Sequence, residues 1–147
     1  MIHTQVDIAR ESPLTMGPLA SLKWSQRFLE QTPGDEVSDG PSRQVPGACW
    51  SKVTPFTAPN PTIHLWSENI AETLGLSRGE DEVLAGGSVV EGMQPYAQRY
   101  GGHQFGNWAG QLGDGRAINL GDVINDQEDR WARQLKGAGP TPYARGA

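Results

Sequence analysis

Residues 110–116 have the composition of a loop that binds an anion through its backbone. They read Gly-Gln-Leu-Gly-Asp-Gly-Arg and lead directly into a segment of alternating apolar and polar residues. Gly113 and Gly115 leave the backbone N–H groups open to close approach, because no Cβ atom stands in the way. Arg116 adds a forked donor that suits a phosphate group. These three residues are therefore candidates for phosphate binding.

Two alternating segments, 116–124 and 130–136, follow this loop and predict a hairpin of two antiparallel strands. A slip of one residue would turn every side chain to the other face, so the apolar pattern should set the register. We therefore expect Leu120 to pair with Leu135 and Ile124 with Trp131. This register places the apolar side chains of both strands on one face.

The same hairpin returns Lys136 to about 10 Å from Arg116, a distance that one polyphosphate spans. A Gly-rich loop between two strands, with a lysine on the next strand, is how protein kinases arrange their ATP site. A Walker A loop would instead need Gly-Lys-Ser/Thr at the start of a helix. Lys136 is therefore the fourth candidate residue. Alternatively, the Gly-rich loop is an ordinary turn, and Lys136 lies at the exposed end of a surface strand.

Histidine and cysteine give little support to another kind of site. His3, His64 and His103 lie far apart in the sequence, and His103, beside Phe105, is interpreted as a structural residue. Cys49 is the single cysteine, which excludes an intrachain disulfide and a multi-cysteine zinc site. We interpret Cys49 as a buried, unreactive thiol.

Composition narrows the class of protein. The 147 residues include 12 Lys and Arg against 17 Asp and Glu, a net charge of −5 that argues against a nucleic-acid partner. There is no apolar run of the roughly 20 residues that a membrane span needs, and the N-terminus does not resemble a secretory signal. We therefore expect a cytoplasmic protein without a membrane partner. Its five tryptophans are expected to supply much of the core.

Periodicity and capping residues predict the remaining elements. They are a helix over 22–31, loop or extended structure over 33–61, a helix over 66–74 and a short helix from a capping box at 77–80 to 86–87. Ser67 is the predicted N-cap of the 66–74 helix, Gly75 its C-terminal stop, and Trp66, Ile70 and Leu74 its core-facing residues. Residues 101–106 contain too many glycines for regular structure, so we expect a loop there. Together these elements predict an α+β fold, a small antiparallel sheet with flanking helices.

Long stretches of the chain resemble the selenoprotein O (SelO) family. The stretches that carry the resemblance are Tyr-Gly-Gly-His-Gln-Phe-Gly at 100–106, residues 108–117 around Gly-Asp-Gly-Arg, and Gln-Leu-Lys-Gly-Ala-Gly-Pro-Thr-Pro-Tyr at 134–143. Residues 43–49 and 66–76 also resemble the upstream part of that family. The resemblance covers roughly residues 43–145.

The resemblance implies a protein-kinase-like fold that binds ATP in a flipped orientation. It further implies transfer of AMP to Ser, Thr or Tyr hydroxyls of protein substrates, with Mg²⁺ or Mn²⁺. The nucleotide contacts of the family match Gly113, Gly115, Arg116 and Lys136, the same four residues that the loop and the hairpin single out.

The resemblance also implies that residues 1–147 are the N-terminal portion of a longer enzyme. Residues 1–42 would form an extension with one helix, and residues 43–147 a partial N-terminal lobe, truncated before the catalytic lobe. The catalytic aspartate and the residues that hold the metal are expected beyond residue 147, so no catalytic or metal-binding residue is assigned here. A nucleotide-binding module without catalysis and a truncated remnant without function are the two alternatives.

Overall fold

Six antiparallel strands and three short helices build the protein in this computed structural model, which describes residues 18–86 and 88–144. The strands are β1 (Lys23–Ser25), β2 (Trp50–Lys52), β3 (Tyr96–Gln104), β4 (Asn107–Gly113), β5 (Ile118–Ile124) and β6 (Arg130–Leu135). The helices are α1 (Arg27–Gln31), α2 (Glu68–Leu74) and α3 (Asp81–Leu84), preceded by a 3₁₀ turn at Leu19–Ser21. An antiparallel sheet with few helices agrees with the predicted α+β class.

The sheet has the order β1-β5-β3-β2, with β4 paired to β3 and β6 paired to β5. Its buried apolar side chains form two clusters, and β5 contributes to both of them. Ile118 belongs to the first cluster, with Val45, Ala48, Val53, Ala97 and Tyr143. Val123 belongs to the second, with Leu19, Ala71, Leu74 and Leu76. β5 is therefore the central structural strand, and its two ends are held by different parts of the chain.

The prediction of a loop over 101–106 is wrong, because most of this segment belongs to a long hairpin of β3 and β4. The glycines accommodate neighbouring side chains within that hairpin. A Cβ atom on Gly101 would lie 2.6 Å from the Trp108 ring, and one on Gly102 would lie 2.8 Å from Leu112. The hairpin turns at Phe105 and Gly106, both with positive φ, as a two-residue type I′ turn requires.

The predicted hairpin of residues 116–136 is confirmed as β5 and β6, but the predicted register is wrong, by one residue near the turn and by two residues at the other end. Ile118 pairs with Leu135 and Val123 pairs with Trp131. An irregularity between Asn119 and Gly121 adds one residue to β5, which the apolar pattern does not reveal.

The N-terminal elements differ from the expected helix over 22–31. Residues 23–25 form β1, in which Trp24 pairs with Val123, and only Arg27–Gln31 is helical. Likewise, the 33–61 segment is mostly irregular as expected, but its residues 50–52 form β2 against β3. In both places pairing with a distant strand overrides the local pattern.

The predicted helix at 66–74 is confirmed as α2. The Ser67 hydroxyl accepts a hydrogen bond from Ile70 N, and Gly75 ends the helix in the left-handed conformation. The predicted core stripe is only partly correct, since Leu74 is buried whereas Ile70 is 42% exposed. Ala71 is buried instead.

The short helix α3 begins at Asp81, later than the predicted capping box at 77–80. The Glu80 carboxylate, which that box would direct to its own helix, accepts a hydrogen bond from Leu19 N. A distant backbone donor therefore replaces the local one, and the helix starts without a side-chain cap.

The tryptophans contribute less to the core than expected. Trp24, Trp50 and Trp66 are half-buried, while Trp108 and Trp131 are exposed. Aliphatic side chains fill most of the two clusters instead. Within residues 18–86 and 88–144, no helix has the length and apolar character needed to cross a bilayer.

Candidate functional site

The Gly-rich loop is a tight turn between β4 and β5. Ala117 N donates to the Asp114 carbonyl oxygen over 2.9 Å, and Gly115 lies between them with φ of 64°. A positive φ at the first central position is the backbone of a type II′ turn, which favours glycine. A Cβ atom on Gly115 would meet nothing within 4 Å, so glycine serves the turn and leaves this side of the backbone open.

The Asp114 side chain fixes this turn from the inside. Its carboxylate accepts hydrogen bonds from Gln98 N at 2.8 Å and from Asn119 Nδ2 at 2.6 Å. Asp114 N also donates to the Gln98 carbonyl oxygen over 3.0 Å. The acidic residue of the loop is therefore a structural group that ties β4 and β5 to β3, and Arg116 beside it is exposed.

The structure places Lys136 at the same end of the β5–β6 hairpin as Arg116. Leu135 pairs with Ile118, so Lys136 lies one residue beyond this pair and Arg116 lies two residues before it. Both side chains are exposed. Neither forms an ion pair with another residue of the described part of the chain, and the charges of both are therefore available to an anionic ligand.

Gly113 lies at the end of β4, where neighbouring atoms occupy the space that a side chain would need. A Cβ atom there would come within 2.5 Å of Tyr143 Cβ and 2.6 Å of the Gln98 carbonyl oxygen. Its φ is not positive, unlike that of Gly115. The two glycines that the sequence pairs together thus have different structural roles, and Gly113 as a nucleotide contact stays a prediction.

The segment after Lys136 closes over the turn. Thr141 donates to the Gly115 carbonyl oxygen twice, from its backbone N at 3.0 Å and from Oγ1 at 2.7 Å. Arg43 N donates to the Pro142 carbonyl oxygen at 3.0 Å. The four residues 141–144 are buried, although the segment has no helix or strand.

A partly buried hydrogen-bond network underlies this segment. It consists of Tyr143, Ser51, Asp35 and Arg43 and is called the Tyr143 network below. The Tyr143 hydroxyl lies 2.7 Å from Ser51 Oγ, Ser51 Oγ donates to Asp35 Oδ2 at 2.8 Å, and Arg43 Nη2 donates to the same oxygen at 2.5 Å. Because the Ser51 proton goes to Asp35, the Tyr143 hydroxyl donates to Ser51.

Two members of the Tyr143 network have shifted pKa values. Burial alone would raise the pKa of the Asp35 carboxyl, but hydrogen bonds from Val37 N, Ser51 and Arg43 outweigh it and lower that pKa. Burial raises the pKa of the Tyr143 hydroxyl, so tyrosine stays a neutral donor. The sequence does not reveal Asp35 and Ser51 as partners of Tyr143, since both lie in a segment without periodicity.

The remaining candidate groups contribute no second site. The exposed His103 ring packs edge-to-face on Trp108, with 5.2 Å between the ring centres. Cys49 is half-buried, not fully buried as expected. Among the residues that the structure describes, no three His, Cys, Asp or Glu side chains come together in a group that could hold a metal ion.

Comparison with known proteins gives a consistent match. A family model described as "Protein adenylyltransferase SelO" matches residues 41–147. The protein nucleotidyltransferase YdiU of Methylobacillus flagellatus is 52% identical over 130 residues, which cover 84% of this chain and 25% of that protein. The YdiU protein of Nitrosospira multiformis is 44% identical, and the match covers 98% of this chain and 27% of that protein. The YdiU protein of Azoarcus sp. is 48% identical, and the match covers 86% of this chain and 25% of that protein. The chain thus spans about a quarter of the length of these relatives.

Proposed function

The chain belongs to the SelO family, and we propose that it forms the ATP-binding part of a protein adenylyltransferase. Three of its relatives carry the name protein nucleotidyltransferase. In this proposal the sheet is part of a kinase-like N-terminal lobe, and the turn around Gly115 faces the nucleotide.

The observation that carries the proposal is the position of two cations at one end of the β5–β6 hairpin. Arg116 and Lys136 lie on adjacent strand ends, are exposed, and make no ion pair with the described residues. Two positive charges beside an accessible turn backbone complement the negatively charged oxygens of a polyphosphate chain. The guanidinium of Arg116 offers paired donors, and the Lys136 ammonium offers a compact charge.

The proposed reaction is an attack of a protein hydroxyl on the α-phosphorus of ATP. The new bond joins the hydroxyl oxygen to AMP, the α–β phosphoanhydride bond breaks, the hydroxyl proton is released, and pyrophosphate leaves with the electron pair. Arg116 and Lys136 would position the phosphates and neutralise charge that grows on the leaving pyrophosphate. Gly115 would let the backbone approach the same phosphates, whereas Tyr143 fills the corresponding space at Gly113.

A bound Mg²⁺ or Mn²⁺ would supply further charge neutralisation. The described residues hold no suitable cluster, so no ligand for this ion and no catalytic base is assigned to the chain. Protein substrates carrying Ser, Thr or Tyr hydroxyls are the proposed acceptors.

A chimera tests this function. This chain replaces the matching quarter of the Methylobacillus flagellatus relative, and the product is incubated with ATP labelled with ³²P at the α or the γ position. AMP transfer places label on protein from α-labelled ATP and none from γ-labelled ATP. Lys136→Ala in the chimera is expected to lower that labelling about 100-fold.

Lys23→Ala is the matched control, because it removes one exposed lysine at the opposite end of β5. Label from γ-labelled ATP would contradict the proposal, as would equal labelling in the two lysine variants. ATP binding by a folded chimera without any transfer would favour a nucleotide-binding module that lacks catalysis.

A further inference from the structure

Residues 137–144 follow Lys136, the proposed nucleotide-binding lysine, and include the buried Tyr143. Contacts with other parts of the chain determine the conformation of this segment. Gly137 and Gly139 have positive φ, and no helix or strand holds the chain between Lys136 and Ala144. Such a backbone has many alternative conformations in the absence of external contacts. The β5–β6 pairing places the backbone of Lys136, and the contacts that select one conformation of the segment determine how the chain after Lys136 lies against Gly115.

Those contacts come from two directions. Thr141 binds the Gly115 carbonyl oxygen through both of its donors, which ties the segment directly to the turn. Phe56 N donates to the Ala138 carbonyl oxygen and Arg43 N to the Pro142 carbonyl oxygen, which tie the segment to the 43–56 region. Between these contacts, Tyr143 inserts its side chain beneath Gly113.

Tyr143 is held at both ends of its side chain. Its Cβ and Cγ lie where a Cβ atom on Gly113 would be, within 2.6 Å of that position, so the tyrosine packs against the bare backbone of β4. Its hydroxyl donates to Ser51 Oγ, which is fully buried on β2. Ser51 is oriented in turn by Asp35, whose carboxylate is 11% exposed and paired with Arg43.

We infer that Tyr143 is a positioning residue of the nucleotide site, acting through Ser51 and Asp35 to hold the 137–144 segment against the Gly115 turn. This inference rests on the proposed function. Tyr143 itself touches no nucleotide in this arrangement. Its effect is to hold the Gly115–Arg116 turn against the segment that follows Lys136, so that the turn and the lysine meet one phosphate chain without further ordering.

The test compares two tyrosines in the 147-residue chain. Tyr143→Phe keeps the ring against Gly113 and removes only the hydroxyl. Tyr96→Phe is the matched control, because Tyr96 is equally buried on β3 and its ring stacks on Phe28. Two quantities are measured for each variant, the exchange rate of the Thr141 amide hydrogen and the dissociation constant for ATP by calorimetric titration.

Tyr143→Phe is expected to speed exchange at Thr141 about tenfold and to weaken ATP binding by a similar factor. Tyr96→Phe is expected to change neither by more than about twofold. Ser51→Ala should have at least the effect of Tyr143→Phe, because it removes the same hydrogen bond together with the one from Ser51 to Asp35. The double variant should then bind ATP no more weakly than Ser51→Ala alone, since the Tyr143–Ser51 hydrogen bond is already lost in that variant.

The inference is overturned if Tyr143→Phe and Tyr96→Phe have the same effect on Thr141 exchange and on ATP affinity, or if the effects of Tyr143→Phe and Ser51→Ala simply add. A chain that does not bind ATP at all would reject the proposed function and with it the nucleotide role of Tyr143. The exchange rate of Thr141 would still show whether Tyr143 fixes the segment, which separates the two failures.

Discussion

Thr141 donates both its backbone amide and its hydroxyl to the carbonyl oxygen of Gly115, over 3.0 and 2.7 Å. This double contact joins the segment that follows Lys136 to the turn that precedes β5. The lysine and the turn are therefore parts of one edge of the sheet, although they are far apart in the sequence. The proposed nucleotide site would therefore be ordered before ATP binds.

Gly113→Ala is expected to destabilise the fold by about 1–3 kcal/mol, because the new methyl group would overlap Tyr143 and the Gln98 carbonyl. The measurement is the urea midpoint of the chain. Gly106→Asn is the control, since space there is open and asparagine tolerates a φ of 78° at the type I′ tip of the β3–β4 hairpin. Its cost should stay below about 1 kcal/mol, and equal costs for the two variants would contradict the collision at Gly113.

Asp35→Asn is expected to lower the free energy of unfolding by about 1–3 kcal/mol at pH 7, because it removes the charge that Arg43 and Ser51 stabilise. The pKa of Asp35 is lowered in the folded protein, so its stabilising effect is present above the unfolded pKa of about 3.9. That effect is lost as the pH falls through the folded pKa. Urea titrations at pH 7 and near pH 3 should therefore show a smaller difference between wild type and variant at the lower pH. A difference that does not change with pH would contradict the ionised role of Asp35.

Gly121→Ala should cost about 2–4 kcal/mol of stability. Gly121 has φ of 115°, and an added methyl group would collide with the buried Gln26 amide. Combining it with Gln26→Ala makes room for the methyl group, so the two effects should be clearly less than additive in a double-mutant cycle. Strictly additive effects would show that the collision with Gln26 does not determine the cost.

Phe105→Asn is expected to leave stability unchanged or to raise it by up to about 1 kcal/mol. Phe105 is fully exposed and has φ of 49°, a conformation that asparagine adopts more readily than phenylalanine. Trp108→Asn is the comparison within the same hairpin, because the Trp108 ring packs over Gly101. Thermal unfolding should show a loss for the tryptophan variant alone, and a comparable loss for Phe105→Asn would mean that the tip is packed.

The strands of the site could be predicted from sequence where the apolar pattern is regular. Alternation over residues 116–136 predicts the β5–β6 hairpin, and the hairpin brings Lys136 to the same end as Arg116. The register fails by one residue near the turn and by a second residue beyond the irregularity at Asn119–Gly121, where the Gly121 backbone packs against Gln26, which is distant in sequence. Local patterns contain no information on such a contact.

Other features of this edge could not be predicted from sequence. The glycines at 101 and 102 indicate a loop when considered alone, whereas Trp108 and Leu112 on the neighbouring strand make them part of a hairpin. The Tyr143 network joins three distant parts of the chain, and neither Asp35 nor Ser51 belongs to a periodic segment. Their roles depend on tertiary pairing, which spacing in the sequence does not encode.

Lys136 is proposed to belong to an ATP-binding edge, and a titration of ATP into matched lysine variants tests this claim most directly. Lys136→Ala and Lys23→Ala each remove one exposed lysine, at opposite ends of β5. Lys23 forms a surface ion pair with Glu128, which contributes little to stability. We expect Lys136→Ala to weaken ATP binding by about 10–100-fold and Lys23→Ala to leave it within about twofold of wild type. Equal ATP affinity in the two variants, or no ATP binding by the folded wild-type chain, would contradict the claim.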